Sequence, residues 1–417
     1  MNNIQVLILA GGVAHRMWPI TTNKNLLPFF GKPLISQGID NLKKAGFKNF
    51  VIVVSPQIKK YVEREVGKAK IVVQERPLGQ ADAIFRAESE IQDMPLLIVN
   101  ANDFFKPSLF TQLREKTKSN FDALLVGLVT DHYLPMGYLM IKNGRVLGIV
   151  EKPGEGKEPS NIIRLVVDFF KKPRVLLEFL KKTETLQDDA YETAMSEMMK
   201  MGIKFGFVEY KDSWATIKYP WDILKMTEFF LRERKKKPVV LEKGVKVFEG
   251  VVVKNSYIGK NVIIGNNVLV RDSIIEEGCV VGYNTEITRS YIGSHCWFHA
   301  NYIGDSVLEE NVSFGSGAKT ANLRLDEKEI MVEGNKKKIS TGRVKLGSII
   351  GRNVRVGINS SIMPGVMIGR GSFVGPGLVL EKNLEEEKFC YLKQPLLIKR
   401  NLEKISLAER EKFKKEI

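Results

Sequence analysis

The sequence predicts a doubly wound α/β domain with a mostly parallel sheet, followed by a parallel β-helix. Two observations predict it. To about residue 235, short β-branched runs alternate with longer amphipathic stretches, and from about Val245 an aliphatic residue recurs at every sixth position instead. A chain of 417 residues has room for two or three domains, each with its own core.

The elements of the first half follow in order. QVLILA reads as a strand, LISQGIDNLKKAGF as a helix, NFVIVVS as a strand and QIKKYVEREVG as a helix; KIVVQ, GQADAIFRAESEI and PLLIVN continue the alternation. Such alternation builds βαβ units with helices on both faces of the sheet. Ligands of these sheets bind beyond the carboxyl ends of the strands, so functional residues are expected just after those runs. Asn143-Gly144 predicts a hairpin turn into a strand that ends at Glu151-Lys152-Pro153. Near RERKKKPVVLEKG the period changes and Pro238 stops a helix. The domains are therefore expected at 1–235 and 245–385, with 386–417 as a tail.

In the second half Ile258, Ile264 and Val270 are six apart, as are Ile275, Val281 and Ile287, and the run from Ile350 through Val356, Ile362, Ile368 and Val374 to Leu380 keeps the spacing. One inward aliphatic residue per six, often followed by glycine, is the pattern of stacked coils. The spacing lapses between Asn322 and Leu346, where a polar, basic stretch is expected to project from the coil. NLEKISLAEREKFKKEI predicts a charged amphipathic helix, placed as a cap on the last coil.

Composition narrows the function. Hydrophobic residues at 44% and charged residues at 27% exclude a disordered or collagen-like chain. Cys279, Cys296 and Cys390 lack CxxC spacing, which argues against a disulfide framework or a thiolate zinc site. The opening MNNIQVLILAGG is too short in its apolar run to span a bilayer and lacks a basic region before it, so a cytoplasmic location is expected, with no membrane partner. A net charge of +16 suits nucleic acid, an anionic membrane surface or small polyanions. Neither a basic stripe nor stacking aromatics accompany it, so nucleic acid ranks last.

ILAGGVAHRMWP follows the first strand directly. Gly11 and Gly12 let backbone N–H groups approach an anion, and Arg16 adds a fixed positive charge, an arrangement that suits a nucleoside triphosphate.

LILAGGVAHRMWPITTNKNLLPFFGKPLI resembles the signature of the sugar-1-phosphate nucleotidyltransferases, a Rossmann-like family. VVQERPLGQADAI, LLIVNANDFF, MGYLMIKNGRVLGIVEKP and WATIKYPWDIL resemble its base, metal, sugar and closing segments, in the family's order over about 220 residues. The resemblance implies that Leu9, Ala10, Gly11 and Gly12 line the nucleotide and that Arg16 neutralises its phosphates. Lys24 bridges the phosphates of both reactants, Gln74 reads a uracil or thymine edge, and Gly79 admits the base. Glu151 and Lys152 hold a sugar hydroxyl and the sugar phosphate, and Gly137 leaves room for the ring. The implied reactants are UTP or dTTP and a sugar-1-phosphate, with Mg²⁺. This chain departs from the pattern at Ala14 and His15, at Asn102, and at Thr216, where metal-binding aspartates are expected; Asp103 is the candidate metal ligand in their place.

HANYIGDSVLEENVSFGSGAKTANLR, with KKISTGRVKLGSIIG and NVRVGINSSIMPGVMIG, resembles the left-handed β-helix acetyltransferase half of bifunctional enzymes that make UDP-N-acetylglucosamine, particularly the archaeal type. By that resemblance His299 is the base that takes the amine proton. Tyr302 and Asn322 bind the sugar, Lys338 contacts sugar or coenzyme A phosphate, and Gly317, Ala318 and Ala321 let the pantetheine arm of acetyl-CoA lie along the coil. Ser313 and Arg289 differ from the usual residues. The resemblance implies a homotrimer through the β-helix, or a multiple of it, with sites between subunits. Two other readings remain open at this stage: nucleotidyl transfer alone with the coil serving assembly, or an α/β half that only binds nucleotide or sugar phosphate as a regulatory module.

Overall fold

The structure, a computed structural model, describes residues 4–12, 15–67, 69–183, 185, 189–234, 237–333, 338–404 and 406–416. Ala14, one of the departures noted above, lies outside them.

The first half is built on a nine-stranded sheet. In chain order its elements are β1 (Gln5–Ala10), α1 (Leu34–Lys44), β2 (Asn49–Val54), α2 (Pro56–Val66), β3 (Lys70–Val73), α3 (Gly79–Arg86) and β4 (Leu96–Asn100). There follow β5 (Asp103–Phe105), α4 (Ser108–Lys116), β6 (Ala123–Val129), β7 (Gly137–Lys142), β8 (Arg145–Glu151), β9 (Ile162–Phe170), α5 (Pro173–Lys182), α6 (Ala190–Lys200), β10 (Phe205–Tyr210), β11 (Trp214–Thr216) and α7 (Asp222–Glu233). The sheet order is β3-β2-β1-β4-β9-β6-β10-β8-β7. β3, β2, β1 and β4 run parallel, as the βαβ alternation requires. Beyond β4 the sheet turns mixed: β9 pairs antiparallel with β4 and β6, and β7 and β8 form the hairpin expected at Asn143-Gly144. Both turn residues have positive φ, 51° and 72°, which an Asn-Gly pair accepts at low cost.

β1 is buried on both sides, which explains its unbroken apolar run. Val6, Ile8 and Ala10 pack with α1, α2 and α4, while Leu7 and Leu9 pack with α3, α5 and α6. The carboxyl end of β1 is thereby fixed inside the sheet, between β2 and β4, where the Gly11-Gly12 loop leaves it. β5 and β11 form a separate antiparallel pair that sets Asp103 opposite Thr216.

The second half is a stack of parallel coils whose short strands form three sheets of seven, eight and seven strands. Ile258, Ile275, Ile292, Leu308, Ile350 and Ile368 lie above one another in one sheet, and Ile264, Val281, Phe298, Phe314, Val356 and Val374 in the next. All of them point into one core, each contributing about 1.5–3 kcal/mol by burial. Where the spacing shortens to five, as between Val270 and Ile275, a serine ladder lines the corner. Ser256 Oγ accepts from Ser273 N, Ser273 Oγ from Ser290 N, Ser290 Oγ from Ser306 N and Ser306 Oγ from Ser348 N, each at 3.1 Å.

Two expectations about the solenoid change. The stretch between Asn322 and Leu346 does not stand free: its hairpin strands Met331–Glu333 and Lys338–Ser340 pair antiparallel, Ile330 and Val332 join an apolar cluster with α7, and Arg343 Nη2 donates to Glu228 at 3.0 Å. The charge pattern of that stretch concealed the alternating Ile330 and Val332. The C-terminal helix, α8 (Leu407–Lys414), exists but caps nothing: none of its residues is buried. Its single turn-and-a-half of apolar residues, Leu407 and Phe413, offers too little surface to dock on the coil.

The halves share that same apolar cluster. Met17, Ile20, Leu27, Phe29, Ile217, Trp221 and the apolar face of α7 meet Tyr257, Ile274, Tyr291, Val307, Ile349 and Met367 of the coils. Among the described residues no helix is long and apolar enough to cross a membrane.

Candidate functional site

The loops beyond the carboxyl ends of β1, β3 and β4 surround an open cleft of about 500 Å³. Its walls bring together Leu9, Ala10, Gly11, Gly12, Arg16, Lys24, Gln74, Gly79, Asp103, Gly137, Glu151 and Lys152 from separate parts of the chain.

Gly11 has a specific reason to be glycine. A Cβ there would sit 2.1 Å from Gln74 Oε1, so the loop and the amide fit only without a side chain. Gln74, 4% exposed, follows β3 and is oriented by its neighbours: Nε2 donates to Gly79 O at 3.0 Å and to Asp82 Oδ2 at 2.8 Å. A carboxylate and a carbonyl can only accept, so the amide nitrogen must face them, leaving Oε1 as the acceptor for an incoming donor.

Lys24 opens a short 3-10 turn (Lys24–Leu26) that Asn23 caps through Asn25 N. Its Nζ donates to Ile217 O at 3.3 Å. Burial holds the Lys24 ammonium below the usual lysine range, opposed by Asp103 and reinforced by Lys218 and Arg16. Arg16 reaches over the Tyr219 ring at 5.8 Å. On the opposite wall Lys152 Nζ pairs with Glu151 at 2.9 Å, and a Cβ on Gly137 would lie 2.8 Å from Glu151 Oε2.

Asp103 accepts from Asn100 Nδ2 at 3.2 Å. Burial pushes its carboxyl up, against the pull of Thr216, Asn100, Lys218 and Lys24. Asn102 Nδ2 donates to Thr216 Oγ1 at 3.0 Å and to Ile217 O at 3.3 Å. The two positions where aspartates were expected thus satisfy each other as a neutral pair. Among the described residues no group of three or more His, Cys, Asp or Glu could hold a metal ion. Magnesium is commonly held by one or two carboxylates plus substrate phosphates. Asp103 therefore fits an ion that arrives with a triphosphate, not an all-protein cage.

Sequence reasoning missed two features of the cleft. Lys218 lines it, two residues after Thr216 in the closing segment, with Nζ 3.4 Å from Pro135 O. Burial lowers its pKa, opposed by Asp103 and Glu151. The second feature is a buried ionic cluster in the wall: Arg164, 3% exposed, pairs with Asp168 at 2.5 Å and Glu192 at 2.6 Å, and Tyr191 donates to Asp168 at 3.0 Å. An arginine and an aspartate inside the otherwise apolar IIRLVVDFF were the signal for it.

On the coil, His299 is exposed, its ring 5.4 Å from that of Trp297. Asn322 Nδ2 donates to Tyr302 Oη at 3.2 Å and to Asp305 Oδ2 at 2.5 Å, and Arg289 holds Asp305 through two bonds of 2.7 Å. Gly304 must lack a side chain, since a Cβ would lie 2.6 Å from Tyr302 Oη and 2.8 Å from Asn322 Nδ2. Asp305 and Arg289 are thus the partners that orient the two expected sugar-binding residues. Ala318 requires a correction. Its methyl is 0% exposed inside the coil core, its N–H donates to Gly315 O and its carbonyl accepts from Asn301 Nδ2, so it presents nothing to a bound arm. The inward position comes with the six-residue register. Gly317 and Ala321 stay partly exposed. Lys338 is exposed at the start of the second hairpin strand, on the α7 side, and no hydrogen bond or ion pair joins it to Tyr302 or Asn322 among the described residues.

The family model described as nucleotidyl transferase matches residues 5–232, and the bacterial transferase hexapeptide model, six repeats, matches residues 347–382. A protein of Sulfurisphaera tokodaii named bifunctional sugar-1-phosphate nucleotidylyltransferase/acetyltransferase is 32% identical over 413 residues, covering 93% of this chain and 99% of its own length. The bifunctional protein GlmU of Methanococcus maripaludis is 33% identical over 424 residues, covering 95% of this chain and 100% of its own length. With both halves matched and the relatives spanned end to end, the chain belongs to the bifunctional sugar-1-phosphate nucleotidylyltransferase/acetyltransferase family.

Proposed function

We propose that residues 1–235 transfer a uridylyl or thymidylyl group to a sugar-1-phosphate and that residues 245–385 acetylate an amino sugar phosphate from acetyl-CoA. The observation that carries the first reading is the set of cations around the cleft: among the described residues Arg16, Lys24, Lys152, Arg164 and Lys218 line it, against Asp103, Glu151 and Glu192. In the reaction a phosphate oxygen of the sugar-1-phosphate bonds to the α-phosphorus while the bond to the β-phosphate oxygen breaks, and pyrophosphate leaves. Two anions must be aligned against their repulsion, and no covalent intermediate is needed.

Gly11 and Gly12 bring backbone N–H groups to the triphosphate, and Gln74 Oε1 accepts from the N3–H that uracil and thymine share. Lys24 and Lys218 neutralise the phosphates at the point of attack. Glu151 and Lys152 hold the sugar and its phosphate, with Gly137 leaving space for the ring. Magnesium bound through Asp103 supplies additional charge neutralisation. In the coil, His299 takes the proton from the sugar amine, and Tyr302 and Asn322, braced by Asp305, hold the sugar. The open setting of His299 beside exposed Trp297 favours a homotrimer whose neighbouring coil closes the acetyl-transfer site.

Purified protein with UTP or dTTP, glucosamine-1-phosphate or glucose-1-phosphate, acetyl-CoA and Mg²⁺ is expected to release pyrophosphate and free thiol. Lys24→Ala should slow the first release only, by roughly 1000-fold to a residual rate that stays measurable, and His299→Ala should abolish the second only. Absence of both products from the wild type would reject the proposal.

The neutral Asn102–Thr216 pair favours a second reading, in which the α/β half binds nucleotide without turning it over. Calorimetric binding of UTP or dTTP indifferent to Mg²⁺, with no pyrophosphate formed, would select it.

A further inference from the structure

The segment that carries Lys24 is held from two sides. Toward the sheet, Asn25 Nδ2 donates to Ala10 O at 3.3 Å. Toward the coils, three anchors fix it. Glu309 accepts from Thr22 N at 2.8 Å and Thr22 Oγ1 at 2.6 Å, and from Thr21 N at 3.2 Å and Thr21 Oγ1 at 3.0 Å. Arg352 closes this knot: Nη2 donates to Thr22 Oγ1 at 2.7 Å and to Glu309 Oε1 at 3.0 Å. Farther along, Tyr291 donates to Pro28 O at 2.8 Å, and Gly31 N donates to Glu276 Oε2 at 2.9 Å.

Lys24 sits between the first and second anchors, two residues from Thr22. Glu309 is 4% exposed, so its carboxylate depends chiefly on these donors and on Arg352 N at 2.9 Å. Charge-assisted bonds of this kind are stronger and more directional than neutral ones. Without the carboxylate, Thr21 and Thr22 lose their shared acceptor; Arg352 keeps Glu310 and Thr22 as partners, so the Arg352–Thr22 bond replaces the whole knot before Lys24, while the Asn25, Tyr291 and Glu276 anchors remain beyond it. Glu309 directly follows the coil that carries His299 and Tyr302, so one coil bears on both chemistries.

We propose that Glu309 of the solenoid is a positioning residue for nucleotidyl transfer: with Arg352 it fixes Thr21 and Thr22 and so aims Lys24 into the cleft. The coil stack is then part of the nucleotidyl transfer machinery. This rests on the reading of Lys24 as the lysine that meets the phosphates.

The test uses the full chain, with pyrophosphate and thiol release measured in parallel. Glu309→Ala is expected to lower kcat for pyrophosphate release roughly 10–100-fold, the scale of a small misplacement of a catalytic group, with KM for the nucleotide changed less than about threefold. Thiol release should persist, and Glu309→Gln should recover part of kcat. The double variant Lys24→Ala, Glu309→Ala should turn over no more slowly than Lys24→Ala alone, because Glu309 acts through Lys24. A further loss in the double variant, or full kcat in Glu309→Ala while Lys24→Ala is slowed, overturns the positioning role alone. Full turnover in Lys24→Ala overturns the reading of Lys24 and the proposal with it, as does a wild type that releases no pyrophosphate. If Glu309→Ala fails to fold, Thr22→Val, which removes one donor to the carboxylate and keeps its volume, is read against the same outcomes.

Discussion

Lys218 faces Asp103 and Glu151 across the cleft with a lowered pKa, so its charge is poorly hydrated and available to an incoming phosphate. Lys218→Met keeps most of the side chain's volume and removes the charge. It is expected to lower kcat for pyrophosphate release by about 100-fold, the order found for deleting one preorganised donor, with thiol release intact. Unchanged turnover would remove Lys218 from the chemistry. The cleft was legible at Gly11, Gly12, Lys24, Gln74 and Glu151 because those residues sit in contiguous motifs. Lys218 was not, since its role depends on the β5–β11 pairing that carries the closing segment over Asp103, a long-range fact with no local period. Ala318 was misread for a related reason: a residue in a small-residue run gives no sign of which way the coil turns it.

In the coil, the repeat is an element whose sequence and structure coincide. A residue every sixth position must face inward, and each one does. The serine ladder adds a polar rail to that core. Ser290 is 0% exposed, donates to Thr288 O at 2.8 Å and accepts from Ser306 N at 3.1 Å. Ser290→Ala would leave the buried Ser306 N–H without an acceptor, at a cost of about 1–3 kcal/mol. The urea midpoint should fall accordingly, and a change below about 0.5 kcal/mol, the range of ordinary surface substitutions, would show the ladder to be decorative. The α/β sheet was legible through β4 and again at the β7–β8 hairpin. Elsewhere beyond β4, strand direction is chosen by which partner edge is open, and alternation of side chains is the same for parallel and antiparallel neighbours. The stretch from Asn322 to Leu346 was read as projecting because its lysines outnumber the two inward apolar residues that dock it.

At the scale of the whole molecule, the joint between the halves carries an acid-base dependence. Glu276 lies in that joint, its Oε1 without a hydrogen-bond partner among the described residues, and burial pushes its carboxyl up to about 7, with Gly31 and Phe30 N–H groups opposing and Glu277 and Glu242 adding. A carboxyl raised above its unfolded value contributes stability fully present below about pH 4.5 and lost as pH rises through about 7, by about 3 kcal/mol once ionised. Glu276→Gln cannot ionise, so its Tm relative to wild type should climb between pH 5 and pH 8. Parallel profiles for the two proteins would place the titration elsewhere. The apolar cluster around Phe29, Tyr291 and α7 belongs to neither half alone. A recombination event that cut the gene between them would deliver two polypeptides with raw, sticky flanks, so descent should transmit this pair of catalysts as a single heritable unit and not as interchangeable parts.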